Sequence, residues 1–408
     1  MGQLGVLYIS YDGMLEPLGQ SQVIAYLERL ATTRKIHLIS FEKPTDLLNF
    51  ASLDAVSRRL DSAGIQWHRL RYHKSPSAVA TAYDILVGTI LGLLLTFWFG
   101  LRIVHARSYV ASVIALFLKT CTNVRFVFDM RGFWADERVD GGIWRSDSHL
   151  YRTAKWFEKR FLLTADHVVS LTHAGAEEIQ RFGYLSDSTP TVSVIPTCAD
   201  LERFRPQCLG RPAAASSQDF TLGYVGSAGT WYMFDTFVES FQQLRLIRPN
   251  SCALILNRGE HDLIRRAIQR AGIPLDAVEL RAADHAEVPS QMARMNAAAF
   301  FIRPVFSKKA SAPTKLAEFL GCGIPCLTNT GVGDMSKLLR DAQVGVAVSS
   351  FDDISIRAGV EELLALCEDP GLRVRCREAA VLHFGLSEGV SAYNRIYDLL
   401  DQAQRPAH

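Results

Sequence analysis

The chain has almost no excess charge and no paired cysteines. Among 408 residues, 44 Lys and Arg stand against 42 Asp and Glu, a formal net charge of +2. So close a balance gives no global electrostatic case for nucleic acid, and no such partner is expected. The eight cysteines are scattered: Cys121, Cys198, Cys208, Cys252, Cys322, Cys326, Cys367 and Cys376. None forms a C-x-x-C pair, and Cys322-x-x-x-Cys326 has no matching second pair, which argues against zinc. Unpatterned thiols in a large chain fit a reducing cytosol. Low-complexity tracts and long repeats are missing too. Met1 to Ser10 reads as a strand rather than a signal peptide. With 48% apolar and 21% charged residues, the chain is globular and long enough for two domains.

What is present is β/α alternation. Strand-like runs fall at Gly5–Ser10, Ile36–Phe41, Ile65–Leu70, Ile103–Ala106, Arg125–Asp129, Val168–Leu171 and Val192–Ile195. Helical spacing covers 20–34, 45–63, 110–119, 149–164 and 174–182 between them. Residues 205–217, with two prolines and an Ala-Ala-Ala-Ser-Ser run, read as a linker. The alternation then restarts, with strands at Phe220–Val225, Ala253–Leu256, Val278–Arg281, Ala298–Ile302, Cys326–Thr328 and Val344–Val348. Three helical stretches close the chain from about 352 to 404. The expected fold is α/β: two tandem Rossmann-like, doubly wound domains over 1–204 and 218–382, then a closing helix over 383–408. Strand C-termini of the two domains would face a shared cleft.

One segment, Ile85 to Leu101, carries no charge. It is short for a membrane span, and spanning would split a run of βα units that should form one sheet. Two readings stay open: a buried helix, or a helix lying on a membrane surface. Arg69, Arg71, His73 and Lys74 before it and Arg102 and Arg107 after it suit anionic headgroups.

The richest chemistry lies in 311–325, from Ser311-Ala312-Pro313-Thr314-Lys315 through Glu318 to Gly323-Ile324-Pro325. A small-residue loop feeding a helix N-terminus suits an anion, and Lys315 in the first turn opposes the helix dipole unless an anion is near. Glu318, one turn on, can accept hydrogen bonds from hydroxyls. Gly226-Ser227-Ala228-Gly229 follows a strand and lets backbone approach a diphosphate. Arg258 and Arg303, at strand ends, are further cation candidates or else surface ion-pair partners. Asp129, Arg131, Asp136 and Glu137 crowd one loop beside Phe133 and Trp134, which suits sugar hydroxyls and ring faces. An Arg131–Asp136 or Arg131–Glu137 ion pair stiffening that loop is the alternative. His105 and Arg107 end another strand; His105 reads equally as a satisfied core residue.

These stretches, with 13–22 (Gly13-Met14-Leu15-Glu16-Pro17-Leu18-Gly19-Gln20-Ser21-Gln22), 128–137 and Val194 through Phe204, resemble the GT4-type retaining glycosyltransferases of the GT-B fold, of the bacterial cell-surface glycan type. The resemblance covers nearly the whole chain. It implies a nucleotide diphosphate sugar donor bound by Gly19, Gly226, Ser227, Arg258, Arg303, Ser311, Thr314, Lys315 and Glu318. It implies Asp129, Arg131 and Glu318 as catalytic residues, with His105, Arg107, Trp134 and Glu137 on the side of a glycan or lipid-linked acceptor. It further implies a closing helix that crosses back to the first domain. No metal or other cofactor is expected, since no metal-chelating aspartate pair is evident, and the expected location is the inner face of the cell membrane. The chain also departs from the family pattern. Ala310 stands where the first of two spaced glutamates is usual, Ser227 replaces a basic residue, Trp231-Tyr232-Met233 replaces a lysine, and Asp129 stands where a histidine is common. These departures keep two rivals in view: a GT-B-fold sugar-nucleotide epimerase and a non-catalytic glycan-assembly partner.

Overall fold

Val6, Leu7, Tyr8 and Ile9 are all buried, a continuous apolar run that marks a strand covered on both faces. In the computed structural model, which describes residues 5–186, 189–206, 220–283 and 287–402, it is the central strand β1 (Gly5–Ser10) of a parallel sheet. The other strands are β2 (Lys35–Glu42), β3 (Gln66–Arg71), β4 (Ile103–Arg107), β5 (Arg125–Asp129), β6 (His167–Ser170) and β7 (Val192–Val194), in the order 3-2-1-4-5-6-7. Order reverses beside β1, the switch point at which doubly wound sheets bind ligands.

A second parallel sheet contains β8 (Thr221–Val225), β9 (Cys252–Leu256), β10 (Val278–Arg281), β11 (Ala297–Ala299), β12 (Cys326–Asn329) and β13 (Gly345–Val348), ordered 10-9-8-11-12-13. Tyr224, Phe234 and Phe237 pack ring to ring beneath it, and Phe300 stacks on Phe319. Both sheets are those of the α/β fold expected from the alternation. The chain divides after Pro196 and again after Gly385: residues up to 196 and from 386 form one unit, and the stretch between forms the other. Most of the expected linker, from residue 207 on, lies outside the described residues, as does Cys208.

The closing helix, Leu386–Gln402, belongs to the first unit. It pairs Asp398 with Arg34, bonds Asn394 to the Thr33 hydroxyl at 3.1 Å, and sets Tyr393 edge-on to Tyr26. The charge-free run forms the longer helix Ser77–Phe99. Its buried seam is Ala80, Asp84, Gly88, Gly92, Leu95 and Thr96. A Cβ on Gly88 would lie 2.7 Å from Ile114 Cδ1, so a larger residue there would displace the Ile114 side chain of the helix Ser108–Cys121. Boundaries shifted where local signals were weak. The expected helix over 45–63 breaks into Pro44–Leu47 and Phe50–Ser62 because Asn49 caps the second, accepting from Ser52 N at 3.2 Å.

Candidate functional site

Each unit holds a polar centre at the C-terminal ends of its strands. In the second unit, β8 ends in Gly226 with φ +106°, a conformation that side chains other than glycine's rarely adopt. A Cβ there would lie 3.2 Å from Lys315 Nζ. Lys315 sits in the first turn of the helix Thr314–Gly321, started by Pro313. Its side chain is buried, and its Nζ lies 3.5 Å from the Tyr232 ring centre, with Tyr224 and Phe300 at 5.1 and 5.5 Å. That ammonium has no hydrogen-bond partner. Burial lowers its pKa to about 7. Glu318, half-buried one turn later, is pushed up to about 7 by burial, against the pull of Lys315 and Arg203. The aromatic faces offset part of the cation's desolvation, but an anion would offset far more.

Beside Gly226 opens a cavity of about 280 Å³ whose lining includes Val225, Ser227, Asn257, Arg258 and Glu260. Arg258 is exposed, its Nε donating to Ala283 O at 3.3 Å. Arg303 is exposed as well, its backbone N–H bonded to Trp231 O. Ser311 and Thr314 are half-buried on either side of Pro313. Ala310 is buried, closing a short 3₁₀ turn over Phe306–Ala310.

Two residues went unnoticed in the sequence. The Glu260 carboxylate accepts from Ala228 N at 2.8 Å, Gly229 N at 3.0 Å, Ser227 Oγ at 3.1 Å and Asn257 Nδ2 at 2.9 Å. Although partial burial opposes its ionisation, these bonds hold its carboxyl below the usual range. The loop's amides therefore face an internal anion. Glu42 also accepts from loop amides in the first unit, from Met14 N at 2.8 Å and Leu15 N at 3.3 Å, and from Ser40 Oγ at 2.6 Å, but there burial outweighs the bonds and raises its pKa. Gly19 closes that first loop, where a Cβ would lie 2.1 Å from Gly13 O. A glutamate at the end of β2 and another four residues after β9 were the only sequence signals.

The first unit's centre gathers His105 and Arg107 from the end of β4 and Asp129 and Arg131 from the end of β5. His105 Nδ1 lies 2.6 Å from Tyr397 Oη and Nε2 lies 3.5 Å from Asp129 Oδ2. Tyr393 Oη donates to Asp129 Oδ2 at 3.0 Å. Asp129 Oδ1 accepts no hydrogen bond; Arg131 Nη1 is 3.9 Å away. Burial resists ionisation of Asp129, but Arg131 and His105 outweigh it and hold the carboxyl low. Burial lowers the His105 pKa against the pull of Asp129. Arg131 adopts φ +56°, a strained setting for a non-glycine residue next to a functional loop. Arg107 pairs with Asp12.

Of the alternative ion pairs, Arg131–Asp136 does not form. Asp136 instead accepts from Tyr151 Oη at 2.8 Å and Lys155 Nζ at 2.9 Å, because the helix His149–Thr164 brings both beside it. Glu137 is half-buried in the first turn of Trp134–Asp140. The Trp134 ring is flanked by Tyr109, Trp144 and the Arg138 guanidinium. Among the described residues, no group of three or more His, Cys, Asp or Glu could hold a metal ion.

Residues 26–197, within the first unit, match the family model described as "Glycosyl transferase 4-like domain". The chain as a whole has the GT-B fold. It is similar to sucrose-phosphate synthase from Thermosynechococcus elongatus at 16% identity and TM-score 0.74, covering 98% of this chain and 100% of that one. It is similar to a glycosyltransferase from Rickettsia africae at 12% identity and TM-score 0.70, covering 98% and 99%. It is also similar to HepE from Anabaena, solved in complex with UDP and glucose, at 12% identity and TM-score 0.66, covering 97% and 100%. No curated protein sequence matches the chain significantly.

Proposed function

We propose that this chain is a glycosyltransferase, moving a sugar from a nucleoside diphosphate donor to a hydroxyl of a glycan or lipid-linked acceptor with retention of configuration. The observation that carries the reading is the buried Lys315 ammonium, without a hydrogen-bond partner, beneath Gly226 and beside the cavity at the ends of β8 and β9. A diphosphate there supplies the missing negative charge, and Glu318 is placed to accept from sugar or ribose hydroxyls. The acceptor oxygen bonds to the anomeric carbon as the bond to diphosphate breaks, and the acceptor proton passes to the departing diphosphate. No separate base and no metal are then required. The protein orients the partners and stabilises the leaving charge.

The HepE complexes with UDP and UDP-glucose make uridine diphosphate sugars the first donors to try. A thermal-shift screen of nucleoside diphosphate sugars should find one that stabilises the chain, since a ligand of the native state raises stability by mass action. Label from that donor should then enter a membrane lipid fraction, with chelator present. Stabilisation by none would overturn the reading. Release of an epimerised free sugar would favour the epimerase, and donor binding without transfer or release would favour a non-catalytic partner.

A further inference from the structure

Three helices lie side by side on one face of the first unit's sheet: Ser77–Phe99, Ser108–Cys121 and His149–Thr164. The middle one touches both neighbours, through Gly88 against Ile114 and through Tyr109 bonded to Glu158. An amphipathic helix should turn its polar side outward. Ser77–Phe99 does the reverse, since Val79, Tyr83, Leu86, Ile90, Leu94, Phe97 and Trp98 are all exposed, Trp98 at 83%. Phe117 continues the apolar surface on the middle helix, and Trp156 and Leu163 on the third. A run this large and continuous exceeds the scattered apolar residues of an ordinary surface.

Charge on this face has one sign. The three helices contain two carboxylates, Asp84 and Glu158, and both are buried. Asp84 is bonded to Tyr11 Oη and His73, and Glu158 to Tyr109 and Lys155. The exposed cations are Arg152, Lys159 and Arg160 on the third helix, with Lys74 and Arg102 flanking the first and Arg69 and Arg71 on the preceding strand β3. Arg160 lies over Trp156, an apolar body with a charged tip.

We propose that this face docks on an anionic lipid bilayer, with the Ser77–Phe99 ridge in the acyl boundary and the cations at the headgroups. A second copy is a poor occupant, because a two-fold contact sets the same cations against each other. Spanning is excluded by topology. The helix connects β3 to β4, which lie in one sheet with β2 and β1 between them, and both ends of a spanning helix could not meet that sheet. The proposal stands apart from the glycosyl-transfer reading, since its test needs no donor.

Flotation of the full chain with vesicles decides it. The chain should float with vesicles containing phosphatidylglycerol at low salt, and both high salt and pure phosphatidylcholine should release it. Trp98→Glu with Leu94→Glu, both at exposed positions, should weaken flotation by about tenfold or more, and so should Arg152→Glu with Lys159→Glu. Circular dichroism matching the parent shows that each variant is folded. A parent that stays soluble with anionic vesicles at low salt, or variants that float like the parent, overturn the proposal. A concentration-dependent dimer that Trp98→Glu abolishes, with no flotation of the parent, overturns it in favour of a second copy.

Discussion

Lys315 Nζ lies 3.5 Å from the centre of the Tyr232 ring, and Tyr232 also forms an antiparallel β-bridge with Ile302. The cation is thus set against an aromatic face below Gly226, with Glu318 and Glu260 acting on it through space and no hydrogen-bond partner on its Nζ. Replacing Lys315 by Ala should weaken nucleoside diphosphate binding by about 1.5–3 kcal/mol, the range for charged hydrogen bonds. Binding of the nucleoside without phosphates should change little. Calorimetry with both ligands checks this, and equal losses would remove Lys315 from the phosphate role.

Glu318→Gln keeps the shape of the side chain and removes charge-assisted acceptance from hydroxyls. Transfer should fall by about 10²-fold or more, with an unchanged melting profile. Near-normal turnover in the folded variant would contradict the assignment.

Lys315 and Glu318 should also make stability depend on pH in opposite senses. Glu318 rises from 4.5 to about 7 on folding, so the native state holds the extra proton and this contribution fades as pH climbs through about 7. Lys315 falls from 10.5 to about 7, so the unfolded chain holds the extra proton and stability grows with pH above about 7. The parent minus a Lys315→Met, Glu318→Gln double variant should therefore pass through a minimum near neutrality in denaturant titrations. A monotonic difference would refute the pair's environment. Because a diphosphate favours protonated Lys315, affinity for it should also decline as pH rises above about 7.

Tyr393→Phe removes the hydroxyl bonded to Asp129 Oδ2, whose other oxygen accepts no hydrogen bond. The loss should destabilise the first unit by about 1–3 kcal/mol, measured by urea unfolding. An unchanged midpoint would show that Asp129 is held by Arg131 and His105 alone.

Most of the fold was legible because parallel sheets write themselves as buried apolar runs. Val6 to Ile9 and Phe126 to Phe128 could hardly be anything else. Gly226 and Lys315 were legible as a glycine turn and an early-turn cation. Their proximity was not, since it depends on β8 and β12 both flanking β11, a pairing no local pattern encodes. Glu42 and Glu260 were missed for a related reason. A carboxylate that binds amides of a loop 28 or 32 residues away leaves no periodic signal. The alternative Arg131–Asp136 pair does not form because Tyr151 and Lys155, 15 and 19 residues on, reach Asp136 instead.

The helix Leu386–Gln402 gives the chain an unusual order of completion. His105 and Asp129 leave the ribosome early, while their partners Tyr397 and Tyr393 follow 292 and 264 residues later. The second unit, residues 197–385, is contiguous and can mature while the first still waits. A nascent or truncated chain lacking the final helix would hold a buried histidine and carboxylate with open bonds in a unit whose sheet is otherwise complete. Proofreading of this polypeptide by cellular proteases would accordingly sense damage to the helix Leu386–Gln402 as instability in the first unit.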